Sequence, residues 1–164
     1  MKILTLVRHA KSSWKDSSLS DGERPLNKRG EHDAPMMGER IRDHGIRPSL
    51  IISSPAARAW TTARLIAAKI SYPTEFLQRE NKLYLASLDD LLDVVVDQDD
   101  GFNSLLVVGH NPGLTHFANF LSPGLTDNLQ TAGVVSVQID RDDWSLHDQP
   151  ATELLVHDYP KRGA

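Results

Sequence analysis

A chain of 164 residues, 40% hydrophobic and 24% charged, is long enough for one globular domain. Its formal charge of −4 argues against a broad surface for nucleic acid or anionic membrane, so any anion site has to be built locally. With no cysteine, disulfides, thiol nucleophiles and thiolate metal ligands are removed together, and a reducing, cytoplasmic setting is expected.

Ile3, Leu4, Leu6 and Val7 form an apolar run that reads as a buried strand. The run is too short for a signal-peptide core or a membrane span. It stops at Arg8-His9, where a strand of an open α/β sheet leaves the sheet and ligands bind. Residues 12–29 are polar, and their length suggests a functional loop rather than a plain connector. Within and beside that loop, Trp14 and Lys15 read as packing residues and Arg24 and Arg29 as surface charges, while Lys11 is either a phosphate recruiter or simply solvated. Asn27 is expected to cap a helix running toward Gly45 with Ala34, Met37 and Ile41 inward. Pro35 predicts a kink or a late start in it.

Leu50-Ile51-Ile52 reads as a second buried strand, followed by a helix with Ser54 as N-cap and Pro55 in its first turn. Arg58 then falls in that first turn, where a cation is mildly unfavourable unless an anion visits. Glu75 to Leu77 is expected to be a short strand. Ser87 and Asp90 form a capping-box pattern before the helical stripe of Leu88, Leu91, Leu92, Val95 and Val96. Leu105 to Val108 is the clearest buried strand, ending at Gly109-His110-Asn111-Pro112-Gly113, from which a helix carrying Leu114, Phe117, Ala118 and Leu121 departs. Val135, Val137 and Ile139 alternate with polar residues, and a turn at Asp142-Asp143 leads to a last strand near Glu153 to Val156, the pair making a hairpin. No repeat, low-complexity tract or linker divides the chain, so a single domain over residues 1–164 is expected.

Strands alternating with helices imply right-handed crossovers and a mostly parallel central sheet with an antiparallel edge, an α/β fold. The first strand and the Leu105 strand then emerge on one edge, bringing His9, His110 and Arg58 to one crevice. Two arginines and two histidines converging there suit a phosphoryl group: Arg8 and Arg58 offer planar forks for its oxygens. Between guanidinium groups a histidine is disfavoured as a cation, so His9 can stay neutral and attack phosphorus in line. Its other ring nitrogen has to donate to a backbone carbonyl to fix the tautomer. His110, when protonated, is a further donor. The competing reading is a metal held by His9, His110 and His116, against which the neighbouring arginines argue. His32, His44, His147 and His157 read as surface or edge residues.

Three stretches carry a resemblance: Leu6-Val7-Arg8-His9-Ala10-Lys11-Ser12 with Trp14, Ser53-Ser54-Pro55-Ala56-Ala57-Arg58-Ala59 with Thr61-Thr62-Ala63, and Val107-Val108-Gly109-His110-Asn111-Pro112. In this order they resemble the histidine phosphatase (phosphoglycerate mutase-like) superfamily, and the small size and His-Asn-Pro-Gly sequence resemble its SixA-type phosphohistidine phosphatases. The resemblance runs from Met1 to about Ile139. It implies a three-layer α/β/α sandwich, His9 as the phosphorylated nucleophile, Arg8, Arg58 and His110 as the phosphate pocket, and no metal or other cofactor. Ser12 is expected to join the substrate-binding set. Two departures stand out. Ala10 replaces the glycine common after the histidine, and no carboxylate clearly takes the place of the family's acid, for which Glu80 is the nearest candidate.

An alkoxide leaving group needs such an acid, whose contribution is about 10²–10⁴-fold, whereas an imidazole leaving a phosphoramidate needs less help. The expected function is therefore hydrolysis through a phosphohistidine on His9, with a phosphohistidine protein as partner. The alternatives are a small phosphomonoester such as a sugar or nucleotide phosphate, with Asp16, Asp21 or Glu80 as acid, and a non-catalytic phosphate-binding module. No heptad or broad apolar stripe suggests an interface, so a monomer is expected, with no nucleic acid or membrane partner.

Overall fold

The computed structural model describes residues 1–162. Its core is a six-stranded sheet in the order β3-β2-β4-β1-β5-β6. These strands are β1 (Lys2–Arg8), β2 (Leu50–Ser53), β3 (Gln78–Arg79), β4 (Ser104–Gly109), β5 (Val134–Ile139) and β6 (Thr152–Asp158). The ladders joining β3, β2, β4 and β1 are parallel, and those of β1 with β5 and β5 with β6 are antiparallel. The sheet is thus mostly parallel with an antiparallel hairpin at one edge, the expected α/β architecture.

Four helices cover the two faces: α1 (Lys28–Asp43), α2 (Ala57–Lys69), α3 (Leu88–Val96) and α4 (Gly113–Leu121). The strand period of two sorts the core. Leu4 and Leu6 of β1 and Leu105 and Val107 of β4 pack with Leu91, Val95 and Phe117. Val7, Leu106 and Val108 instead meet Met37, Ile41, Ala63 and Ile66. A three-layer sandwich follows, because strands covered on both faces read as unbroken apolar runs.

Several boundaries differ from expectation. The helix expected from Ser54-Pro55 begins at Ala57 with Ala56 at its N-cap, because Ser54 stays with the sheet through Ser54 N donating to Val108 O at 3.0 Å. Pro55 favours this by biasing Ser54 toward extended backbone. Pro35 neither delays nor ends α1, which Asn27 caps by accepting from Gly30 N at 2.9 Å. Its buried face, including Ala34, Met37 and Ile41, outweighs the lost hydrogen bond. Thr74–Phe76 is a 3₁₀ turn rather than a strand, and the strand follows it as β3.

Register then places the chemistry. Arg8 pairs with Gly109 across the β1–β4 ladder, and His9 N donates to Gly109 O at 3.1 Å. His9 and His110 therefore leave the same edge of the sheet side by side. The loop after His9 is pressed against α1: a Cβ added at Gly30 would lie 2.2 Å from Lys11 O, so glycine is required there for the close approach.

Candidate active site

The ring centroids of His9 and His110 are 5.3 Å apart, and both side chains are buried. His9 Nδ1 donates to Ala10 O at 2.7 Å, which leaves the lone pair on Nε2. Burial is the largest influence on its protonation and, with the charges of Arg58, Arg8 and Arg24, lowers its pKa to about 4 against the opposing pull of the Ala10 carbonyl. The arginines expected to keep His9 neutral thus act second to desolvation.

His110 is held from both sides. Nε2 lies 2.7 Å from Ser54 Oγ, and Nδ1 makes a long 3.5 Å contact with Arg58 Nη2. A guanidinium can only donate, so Nδ1 carries the lone pair and Nε2–H donates to Ser54. Burial, then the neighbouring His9, Arg58 and Arg8, lowers the His110 pKa to about 3, with Asp21 opposing. His110 is therefore neutral in this setting, and the charge of a dianion beside it would favour its protonated form.

Arg8 Nη1 donates to Leu129 O at 2.9 Å. That carbonyl is fixed by Asn111, whose Nδ2 also donates to it at 2.8 Å. Arg58 is only 2% exposed, and it donates from Nη1 to Asp21 O at 2.7 Å and from Nη2 to Asp21 Oδ2 at 2.9 Å. The pairing is shared rather than private, because Asp21 also accepts from Arg24 Nε at 3.3 Å and from the Tyr84 hydroxyl. Among the described residues, Arg8 Nε and Arg58 Nε are buried without any hydrogen-bond partner. A buried N–H left unpaired costs about 1–3 kcal/mol, more on a charged group, so two in one pocket mark a place built for an acceptor.

Of the predicted residues, the fold brings together His9, Arg8, Arg58 and His110. Ser12 lies in the adjoining loop with its Oγ accepting from Arg24 Nη1 at 2.8 Å. Arg24 is not the surface charge expected: it is buried, stacked on Trp14 with its guanidinium carbon 3.5 Å from the ring centroid, and bonded to Ser13 O. Glu80 accepts from Lys82 N at 3.1 Å and lines a separate pocket with Lys82, Asp93 and Asp97. No hydrogen bond or ion pair among the described residues joins it to the four. Asp16 is spent on Ser18, accepting from its N at 3.0 Å and its Oγ at 2.5 Å. Asp21 is in the pocket, where the Tyr84 hydrogen bond, with help from Arg58 and Arg24, holds its pKa near 2 despite partial burial. His116 is exposed on α4, away from the pocket, and no group of three or more His, Cys, Asp or Glu among the described residues is arranged to hold a metal ion.

Sequence reasoning missed Ser54 as the partner of His110, Tyr84 as the partner of Asp21, and Thr62. Thr62 Oγ1 accepts from Ala10 N at 3.0 Å and donates to Arg58 O at 2.7 Å, tying the His9 loop to α2. The Ser-Ser-Pro run was a signal, read there as a helix cap. Tyr84 had none, because its partner lies 63 residues away.

A family model described as the histidine phosphatase superfamily (branch 1) matches residues 4–81. A chloroplastic protein of Arabidopsis thaliana is 31% identical over 149 residues, covering 86% of this chain and 68% of that one. A protein of Salmonella arizonae named as phosphoglycerate mutase GpmB is 32% identical over 111 residues, covering 66% of this chain and 51% of its own length. Among solved structures, one named for the phosphohistidine phosphatase SixA of Agrobacterium tumefaciens superposes with a TM-score of 0.83 at 24% identity, covering 97% of this chain and 98% of that one. A protein histidine phosphatase SixA complexed with tungstate gives 0.80 at 20% identity, covering 96% and 97%. A mycobacterial glucosyl-3-phosphoglycerate phosphatase gives 0.69 at 14% identity, covering 95% and 98%. These likenesses show a shared fold.

Proposed function

The chain belongs to the histidine phosphatase superfamily, branch 1, and from that premise we propose that it hydrolyses protein phosphohistidine through a phosphoryl group carried on His9. His9 Nε2 attacks phosphorus in line while Nδ1–H remains on Ala10 O. The N–P bond of the substrate breaks as the Nε2–P bond forms, and the departing imidazole, protonated on its far nitrogen, leaves neutral. Water then attacks the phosphorylated His9, returning the imidazole and releasing inorganic phosphate. Arg8 and Arg58, with His110 once the dianion charges it, would stabilise the equatorial oxygens throughout. The chain acts in this reading as a cytoplasmic monomer, one domain over residues 1–164, with no metal step.

The observation that carries the choice of substrate is the state of Asp21, the one carboxylate in the pocket among the described residues. Asp21 is held ionised, its pKa near 2, by Tyr84, Arg58 and Arg24, so it has no proton to offer an alkoxide. Glu80 and Asp16 are engaged elsewhere. A phosphoramidate leaving group needs less help, because the far nitrogen of its ring can carry the proton from solvent. The second reading, a small phosphomonoesterase, draws on the same residue: with its side chain 41% exposed, Asp21 could take a proton once substrate displaces it from Arg58. Turnover of a histidine-phosphorylated protein measured beside a panel of sugar, nucleotide and aryl phosphates separates the two. The phosphohistidine protein should have the highest kcat/KM, and a faster phosphomonoester would overturn the choice.

A further inference from the structure

A cavity of about 810 Å³ lies at the edge of the sheet opposite the histidines, and the chemistry above does not use it. Buried Ile46 and Leu50, the latter the first residue of β2, give it an aliphatic wall. Ser54, the partner of His110, is four residues further along the direction of β2, roughly 13 Å of extended chain, so the cavity and the phosphate pocket are separate. The chain has 4 Phe, 3 Tyr and 3 Trp, and of these Phe76, Phe102 and Tyr72 line this one cavity. Phe76 is 64% exposed there. Arg42 and Arg47 line it too, and no Asp or Glu does. Asp43 is 3.6 Å from Arg42 Nε, whereas Arg47 has no side-chain hydrogen bond or ion pair among the described residues. Chain geometry builds the hollow. Ser71 turns off the end of α2 with a left-handed φ of 59°, and Tyr72 N donates back to Ala67 O at 2.9 Å. The Tyr72 hydroxyl then donates to Phe76 O at 3.0 Å and accepts from Ile51 N at 3.4 Å, which ties the loop carrying Phe76 to β2.

We propose that this cavity is a second ligand site, remote from His9, for a small aromatic anion: a flat apolar ring system bearing one carboxylate or sulfonate. Its size falls in the range of about 300–1,000 Å³ that small-molecule sites occupy. Three aromatic side chains and two aliphatic ones favour a planar apolar body, because ring pairs gain about 0.5–1.5 kcal/mol beyond the area they bury. Arg47 sets the charge of the ligand. Its guanidinium is a planar fork with no protein acceptor, which a carboxylate matches in a bidentate way. A single exposed ring on a surface means little, but aromatic walls around one hollow with an unpaired cation on its rim define both body and head of a ligand. The brace from Tyr72 to Phe76 O and Ile51 N keeps the walls in place beforehand, so binding pays little for ordering them. The proposal is independent of which phosphorylated substrate His9 takes.

The test titrates the intact chain with 2-naphthoate, following heat and backbone amide shifts, beside its neutral twin 2-naphthylmethanol and the aliphatic anion decanoate. 2-Naphthoate should bind one to one with a Kd on the order of 0.1–1 mM, and saturating inorganic phosphate should leave that Kd unchanged. The amides that shift should be those of Leu50, Tyr72, Phe76 and Phe102 rather than His9 and His110. Arg47→Gln should weaken binding about tenfold and Phe76→Ser about five- to tenfold. Both side chains are exposed, so the variants should fold, and each should keep its rate on imidazole phosphate within about twofold of the wild type. Absence of saturable binding below about 5 mM overturns the site, as does displacement by phosphate, which would put the ligand beside His9. Unchanged affinity in Arg47→Gln and Phe76→Ser overturns it as well. Equal affinity for 2-naphthylmethanol or decanoate overturns the ligand class.

Discussion

Lys2 and Arg8 stand at opposite ends of β1, both with long cationic side chains drawn into the protein. Lys2 is 1% exposed, and its Nζ donates to Asp100 O, to Phe102 O at 3.0 Å and to Asn103 Oδ1 at 3.0 Å. All three ammonium protons have acceptors, so this end of the strand is complete. At the other end Arg8 spends one donor on Leu129 O and keeps a buried Nε unpaired, as does Arg58 beside it. Cavity size points the other way: the large cavity of about 810 Å³, walled by Ile46, Tyr72, Phe76 and Phe102, lies away from the histidines. What separates a structural cation from a working one is whether its hydrogen bonds are finished, not how much space adjoins it.

The contrast can be broken most sharply at the working end. His9→Ala should lower phosphatase turnover by on the order of 10³-fold or more. It should also abolish the acid-labile, alkali-stable label that brief incubation with ³²P substrate leaves on the wild type; a labelled His9→Ala chain would place the nucleophile elsewhere. Arg58→Ala should lower kcat about 10²–10³-fold at a smaller cost in stability, since the unpaired buried Nε goes with it and Asp21, though it loses two donors, keeps those of Tyr84 and Arg24. Lys2→Met should do the reverse, costing about 2–3 kcal/mol in urea unfolding by stranding buried acceptors, with normal activity per folded molecule. Were both variants to lose activity and stability in parallel, the distinction between the two ends would not hold.

Smaller effects sharpen the same point. Ser54→Ala removes the acceptor of His110 Nε2–H, a bond whose net contribution is about 0.5–1.5 kcal/mol, so kcat should fall about tenfold or less. A role in orienting the ring predicts a displaced acid limb as well, which simple loosening of the fold would not produce. In the wild type, the acid limb of kcat/KM should lie near pH 4, following His9, rather than near its ordinary 6.5. Stability should move with it. The unfolded chain takes up a proton on His9 near 6.5 and the folded chain only near 4, so unfolding free energy is highest above that window and declines as pH falls through it. Urea midpoints that stay flat between about pH 7 and 4 would mean His9 is not buried as a neutral ring.

Much of the fold was legible because it rests on local patterns. Leu105 to Val108 and the Leu88–Val96 stripe announce a covered strand and an amphipathic helix without reference to anything distant. Three misread positions share one cause: a contact across the chain overrode a local preference. Ser54 has the chemistry of an N-cap, but Val108 O and His110 engage it first. Arg24 sits in a polar loop and reads as solvated, but Trp14, Ser12 and Asp21 enclose it. Asp21 reads as one of several loop acids until Tyr84 and Arg58 close on it and fix its charge.

The sequence by itself determined the strand–helix alternation, and with it the emergence of His9 and His110 on one edge, because hydrophobic periodicity is written residue by residue. Tertiary structure alone decided that His110 is neutral, that Asp21 is held ionised and which arginine donors were left unpaired. Those depend on burial and on partners tens of residues away, and no local spacing encodes them.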